Sequence, residues 1–196
     1  MNTILFPAKG TMHKFSPENA LRLERAERYT LIPPKGTLQR FGLSQGMTIA
    51  DIGAGTGFFS RPAAELVGST GTVYAVDMSR EMVGTLTSLG LSPNMRTVVS
   101  QEYSVPLPDA VADIVFVSFV LHETDDRPRF LRELYRLVKP GGQLVIVEWK
   151  KQAEEHGPPM EERLSETELD VSLAEYPLLE GGQLNASHFY RRVRKA

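Results

Sequence analysis

The sequence predicts a three-layer α/β/α sandwich built on a mostly parallel sheet of seven strands. Three observations predict it. From Met47 onward, strand-like runs alternate with helix-like ones in the order MTIADIG, FFSRPAAELV, TVYAVD, SREMVGTLTSLG, MRTVV, ADIVFVSFVL, RPRFLRELYRLV and QLVIVEW, the pattern of repeated βαβ units. These strands are continuously apolar rather than alternating, as expected when helices cover both faces of a parallel sheet. Two weaker strand candidates, 178–184 and 188–193, bring the total to seven.

Before the sheet, a charged surface helix is expected from Pro17 to about Leu31, with Ser16 placed to cap it and Leu21, Leu23, Ala26 and Tyr29 set among arginine and glutamate. Pro33 and Pro34 end it, and a short helix through Leu38 and Phe41 leads to Gly42 and Gly46. Residues 1–45 therefore read as an N-terminal helical segment packed on a domain spanning 46–196. His13, Lys14 and Phe15 are placed either to fold over a site as a lid or to fray as a terminus. Beyond Trp149 a polar stretch with Pro158 and Pro159 precedes a helix expected at 165–175.

Composition narrows the function. With 22 basic and 24 acidic residues the net charge is −2, which provides no broad field for holding nucleic acid or anionic lipid. The arginines and lysine at 191, 192, 194 and 195 read as charges protecting an edge strand rather than as an RNA contact. The chain has no cysteine, which removes disulfides, thiolate metal sites and thiol nucleophiles. Its four histidines lack metal-ligand spacing, so no metal is expected. The apolar run 114–121 is far shorter than the roughly 20 residues of a membrane span, and residues 1–15 do not read as a signal peptide. The expectation is a soluble, cytoplasmic protein with no membrane or nucleic-acid partner.

The strongest local signal is DIGAGTG at 51–57: a strand ends in Asp51 and runs into Gly53, Gly55 and Gly57 before a helix. Glycines permit close backbone approach to a ligand, and a helix N-terminus after them suits a nucleotide. In a dinucleotide fingerprint the last glycine would fall where Phe58 stands, and no Walker lysine follows. Phe58 and Phe59 are expected on the first helical turn, lining the ligand or packing in the core. Asp77 ends the next strand, where an acid can bind both hydroxyls of a ribose or, alternatively, cap the helix starting near Ser79. Because loop and acid occur together in that order, ribose binding is the favoured reading, with Met78 placed against an adenine ring.

DIGAGTG, VYAVDMS, PLPDAVADIVFVSFVLHE and LRELYRLVKPGGQLVIVEW, in this order, resemble the motif set of class I S-adenosylmethionine-dependent methyltransferases, and within them the small domains allied to the ubiquinone/menaquinone type. The resemblance covers about 47–149. It implies a Rossmann-like sheet closed by a C-terminal antiparallel hairpin, which GGQLNASHFYRRVRK would form. It also implies that Asp51, Gly53, Gly55 and Gly57 line the methionine portion of the cofactor and that Asp77 holds the ribose. Gln101 stands where the family usually has an acid facing the adenine amino group, so Gln101 or its neighbour Glu102 would fill that place; Glu102 reads equally as a solvated loop acid.

His122 and Glu123, just beyond the fourth strand, are the catalytic candidates, because open α/β sheets bind ligands at that edge. His122 would act as base where an acceptor must lose a proton, or would merely pack or cap. Glu148 and Trp149 read as a pocket wall. The expected reaction is methyl transfer to a small-molecule acceptor with release of S-adenosylhomocysteine, and neither the acceptor nor its reacting atom can be read from the residues. Two alternatives stand beside it: a non-catalytic adenosyl-binding module, and a nicotinamide-dependent oxidoreductase.

Overall fold

The computed structural model describes residues 26–196. Seven strands, β1 (Thr48–Ile52), β2 (Thr72–Asp77), β3 (Met95–Val99), β4 (Ala112–Ser118), β5 (Val138–Trp149), β6 (Leu178–Gln183) and β7 (His188–Arg194), form one sheet in the order β3-β2-β1-β4-β5-β7-β6. The first five are mutually parallel, and β7 runs antiparallel to both β5 and β6. The chain crosses from one half of the sheet to the other between β1 and β4. At that point the connections leave in opposite directions and open a crevice above the carboxyl ends of the strands.

Among the described residues, six helices accompany the strands: α1 (Ala26–Leu31), α2 (Pro34–Arg40), α3 (Ser60–Val67), α4 (Arg80–Ser88), α5 (Arg127–Leu137) and α6 (Glu166–Ser172). Because successive side chains of a strand point to opposite faces, the apolar strands feed two cores. Ile49, Val73, Ile114, Phe116, Val145 and Val147 pack on one face with Leu38 of α2 and Ala63 and Val67 of α3. Ala50, Val76, Val115, Val117, Leu144 and Ile146 pack on the other with Leu131 and Leu134 of α5 and Leu169 of α6. On α5 the buried residues Phe130, Leu131, Leu134 and Leu137 form a stripe at helical spacing. Asp126 caps that helix by accepting from the Arg129 N–H at 3.0 Å. The helix expected at 165–175 is α6, closed at its start by a reciprocal capping box between Ser165 and Glu168.

Three readings change. The helix after the glycine loop starts at Ser60, so Phe58 and Phe59 precede it, and both are buried in the core. Strand β5 starts at Val138, earlier than the apolar run implies, because Val138 already pairs with Ala112 and the strand continues through a register shift to the pairing of Gln143 with Ile114. The basic last strand lies inside the sheet, with β6 as the edge. Its cations have internal partners: Arg191 meets Asp170 at 2.6 Å and Glu166 at 3.0 Å, and Arg192 meets Glu180 at 2.6 Å. Most of the helix expected from Pro17, and the segment His13 to Phe15, fall outside the described residues. No helix among the described residues is long and apolar enough to cross a membrane.

Candidate functional site

The site is built at the ends of β1, β2 and β4. Asp51 lies near the end of β1, 2% exposed, and its Oδ2 accepts a 2.5 Å hydrogen bond from the Ser60 hydroxyl at the start of α3. Burial pushes its carboxyl up to about 6; the Ser60 bond and the Arg28 charge pull against that rise, while the neighbouring Asp77 charge adds to it. Gly53, Gly55 and Gly57 all adopt positive φ, at 74°, 54° and 90°. At Gly53 a side chain is excluded twice, since a Cβ there would stand 2.3 Å from a methyl of Val120, beyond β4.

Asp77 ends β2 and fastens the loop. Its Oδ2 accepts from the Gly55 N–H and its Oδ1 from the Ser79 N–H, each at 2.8 Å. The helix-capping role belongs to its neighbour: the Ser79 side chain accepts from the Met82 N–H at 3.2 Å. Asp77 is half-buried, and desolvation raises its carboxyl above the ordinary range against three backbone hydrogen bonds. Three N–H donors leave the carboxylate acceptor capacity for a ligand. Met78 presents an exposed apolar side chain at the same edge. Gln101 is exposed and bridges to Ser104 through the backbone, whereas the Glu102 carboxylate accepts from the Thr124 hydroxyl at 3.4 Å, facing the segment beyond β4.

That segment carries the catalytic candidates on a short 3₁₀ turn, Leu121–Glu123. His122 is 5% exposed and is gripped by Glu148, which is fully buried at the end of β5. Glu148 Oε1 accepts from the His122 backbone N–H at 3.2 Å, and Oε2 lies 2.9 Å from Nδ1. The other ring nitrogen, Nε2, lies 3.9 Å from Glu123. Burial disfavours an imidazolium here, but Glu148, Glu123 and Glu162 together outweigh it and set the ring above its ordinary value. The sequence reading assigned Glu148 only to a pocket wall; the available signal was one carboxylate closing an otherwise apolar strand.

On the opposite side of the strand ends, Phe119, Trp149 and His188 pack together, with Trp149 sharing the face of Val145 and Val147. Helix α1 lies over this region. The Leu31 carbonyl accepts from the Asn185 amide in the β6–β7 turn at 2.8 Å, Tyr29 packs on Phe58, and the Arg28 guanidinium stacks 3.9 Å from the Phe58 ring centre. Its charge acts on both Asp51 and His188, so Arg28 stands between the glycine loop and the aromatic cluster.

Residues 50–146 match a family model described as a methyltransferase domain. A structure of an S-adenosylmethionine-dependent methyltransferase from Aquifex aeolicus is 35% identical, covers 92% of this chain and 98% of its own, and superposes with a TM-score of 0.86. The chain belongs to the S-adenosylmethionine-dependent methyltransferase family. Its cofactor is S-adenosylmethionine. The ubiquinone/menaquinone biosynthesis C-methyltransferase UbiE of Escherichia coli is 33% identical over 119 residues, covering 59% of this chain and 47% of that protein. The chain thus spans about half the length of the curated relatives it matches. An arsenic(III) S-adenosylmethionine methyltransferase from Chlamydomonas reinhardtii, 22% identical over 78% of this chain and 64% of its own at a TM-score of 0.61, shares the fold alone. Membership of this family displaces the nicotinamide alternative.

Proposed function

We propose that the protein transfers the methyl group of S-adenosylmethionine to a small-molecule acceptor, at a carbon atom. The observation that carries this reading is the bond from the Gly55 N–H to Asp77, which joins the glycine loop to the tip of β2 at the sheet's crossover point. The residues present suit the cofactor: a glycine loop with no room for a Cβ at Gly53, an acid with spare acceptor capacity at a strand tip, and an exposed Met78 beside it. Similarity to the E. coli C-methyltransferase supports carbon as the methylated atom and a small molecule as the acceptor.

In this reading Asp77 accepts from the ribose hydroxyls and Met78 lies against the adenine. Gln101 or Glu102 accepts from its amino group, with Gln101, the more exposed of the two, retaining an amide carbonyl for this purpose. Gly53, Gly55 and Gly57 bring the backbone against the methionine portion. Asp51 meets its ammonium group, and Arg28 provides the positive charge for its carboxylate. When bound, the cofactor supplies a methyl group on a sulfonium that departs as a neutral thioether. Alignment and exclusion of water are therefore most of what the protein must add. His122 removes a proton where the acceptor must lose one. Glu148 accepts from Nδ1–H, which leaves the lone pair of the neutral ring on Nε2; Glu123, beside Nε2, steadies the ring once charged.

Incubating the protein with methyl-labelled S-adenosylmethionine and a panel of small molecules tests the reading. Label is expected in a small organic product with a new carbon–methyl bond, and none in protein or RNA. Tight cofactor binding without turnover on any acceptor would favour the non-catalytic module instead.

A further inference from the structure

Met78 follows Asp77 at the tip of β2 and holds its thioether side chain 45% exposed at the ligand edge, whereas Met82 of α4 and Met95 of β3 are buried. A thioether is soft and polarisable and packs well on an aromatic ring. The backbone that carries it is fixed. The Met78, Ser79 and Gly55 N–H groups all donate to the Asp77 carboxylate, and the Ser79 side chain caps α4. Three amides of this corner are thus spent on one carboxylate. The chain has no cysteine, so its thioethers are the sulfur groups open to an oxidant, and their susceptibility follows exposure. Among the methionines of the described residues, only Met78 and Met160 are exposed, and Met160 lies elsewhere, on the 3₁₀ turn Met160–Glu162 beyond β5.

We infer that Met78 is an oxidation site, and that its conversion to the sulfoxide by a hydroperoxide shuts S-adenosylmethionine out of the site. With hydrogen peroxide the O–O bond breaks and one oxygen bonds to the Met78 sulfur. The sulfur gives up two electrons, the peroxide is reduced to water, and both carbon–sulfur bonds remain. An apolar contact is thereby replaced by a strong dipole whose oxygen accepts hydrogen bonds. The face of an adenine ring donates none, the three amides of the corner are committed to Asp77, and the Asp77 carboxylate repels the partial negative charge of the new oxygen. Covering the sulfoxide with a nucleobase therefore costs affinity. Methionine sulfoxide is reduced back by dedicated reductases, so the change is reversible. The inference rests on the placement of Met78 against the adenine proposed above, and adds a control exerted on that site.

The test treats the whole protein with hydrogen peroxide, with and without saturating S-adenosylhomocysteine, and follows each methionine by peptide mass spectrometry. Calorimetry then titrates the treated protein, freed of peroxide and ligand, with S-adenosylhomocysteine. Met78 should oxidise ahead of Met82 and Met95, and the bound ligand should slow its oxidation without slowing that of Met160. Protein carrying the Met78 sulfoxide should bind S-adenosylhomocysteine more weakly by about tenfold or more, and the two methionine sulfoxide reductases, one for each epimer, should restore binding. Met78→Leu, whatever its own affinity, should read the same before and after peroxide, while Met160→Leu should lose affinity as wild type does. Undiminished binding with Met78 fully oxidised, equal oxidation of Met78 with and without the ligand, or a loss in Met78→Leu equal to that of wild type overturns the inference. Failure of untreated wild type to bind S-adenosylhomocysteine instead overturns the proposed reading of the site, and the untreated titration reads that separately.

Discussion

Glu148 holds His122 at two points, taking the backbone N–H with one carboxylate oxygen and facing the ring Nδ1 with the other at 2.9 Å. The pair joins the end of β5 to the turn after β4, the turn that also places Val120 against Gly53. Removing either partner therefore loosens both the candidate base and a wall of the cofactor loop.

The pH dependence of this pair has a definite sign. The folded His122 holds its proton above the ordinary imidazole value of 6.5, so its contribution to stability is fully present below that value and is lost as pH rises through the folded one. The gap in unfolding free energy between wild type and Glu148→Ala, about 3 kcal/mol or more for a broken buried pair, should be widest in acid and narrow on the alkaline side. If His122 is the base, methyl transfer rises with pH on a limb above 6.5, and Glu148→Gln shifts that limb to lower pH. A limb unmoved in Glu148→Gln would assign the pair to structure alone.

Asp51 carries the opposite kind of cost. Its rise from the ordinary 3.8 to about 6 means that the ionised form is disfavoured by about 3 kcal/mol at neutral pH, as an upper bound. The folded state holds the proton more tightly, so stability gains as pH falls from about 6 towards 4. Asp51→Asn should therefore raise the melting temperature of the ligand-free protein at neutral pH while weakening S-adenosylmethionine binding at least tenfold, the worth of about 1.4 kcal/mol. Chemical denaturation and calorimetry on the one variant check both halves.

Gly53 is excluded from substitution by both its φ and its neighbour. Gly53→Ala should cost about 1–2 kcal/mol in strain and further stability from the clash with Val120. Adding Val120→Ala should restore the second part only, and a thermal-melt cycle of the four proteins separates the two.

Arg28 is expected to act on the carboxylate of the cofactor. Arg28→Ala should weaken S-adenosylmethionine by about 2 kcal/mol, the scale of a charge-assisted hydrogen bond. It should leave the affinity for decarboxylated S-adenosylmethionine unchanged. Equal losses for both ligands would give Arg28 a packing role on Phe58 instead.

The fold was legible because its periodic signals are local. The continuous apolar runs around Ile49, Val73 and Val145 and the helical stripe at Phe130 and Leu134 each state their environment within one element. The glycine loop and Asp77 were legible for the same reason, as short motifs at strand ends. What escaped depends on contacts between distant segments. Glu148 gains its meaning only when β5 aligns with the turn carrying His122. Arg28 reaches the site because Asn185, 154 residues beyond Leu31, tethers the end of α1. The arginines of β7 were misread because strand order, which a single sequence does not display, decides which strand is the edge.

The most direct test of the account is calorimetric titration of wild type and Asp77→Ala with S-adenosylmethionine and S-adenosylhomocysteine, with NADH as control. Wild type is expected to bind both adenosyl compounds saturably, Asp77→Ala to lose both, and NADH to give no heat. Undiminished binding by Asp77→Ala, or saturable binding of NADH, would contradict it.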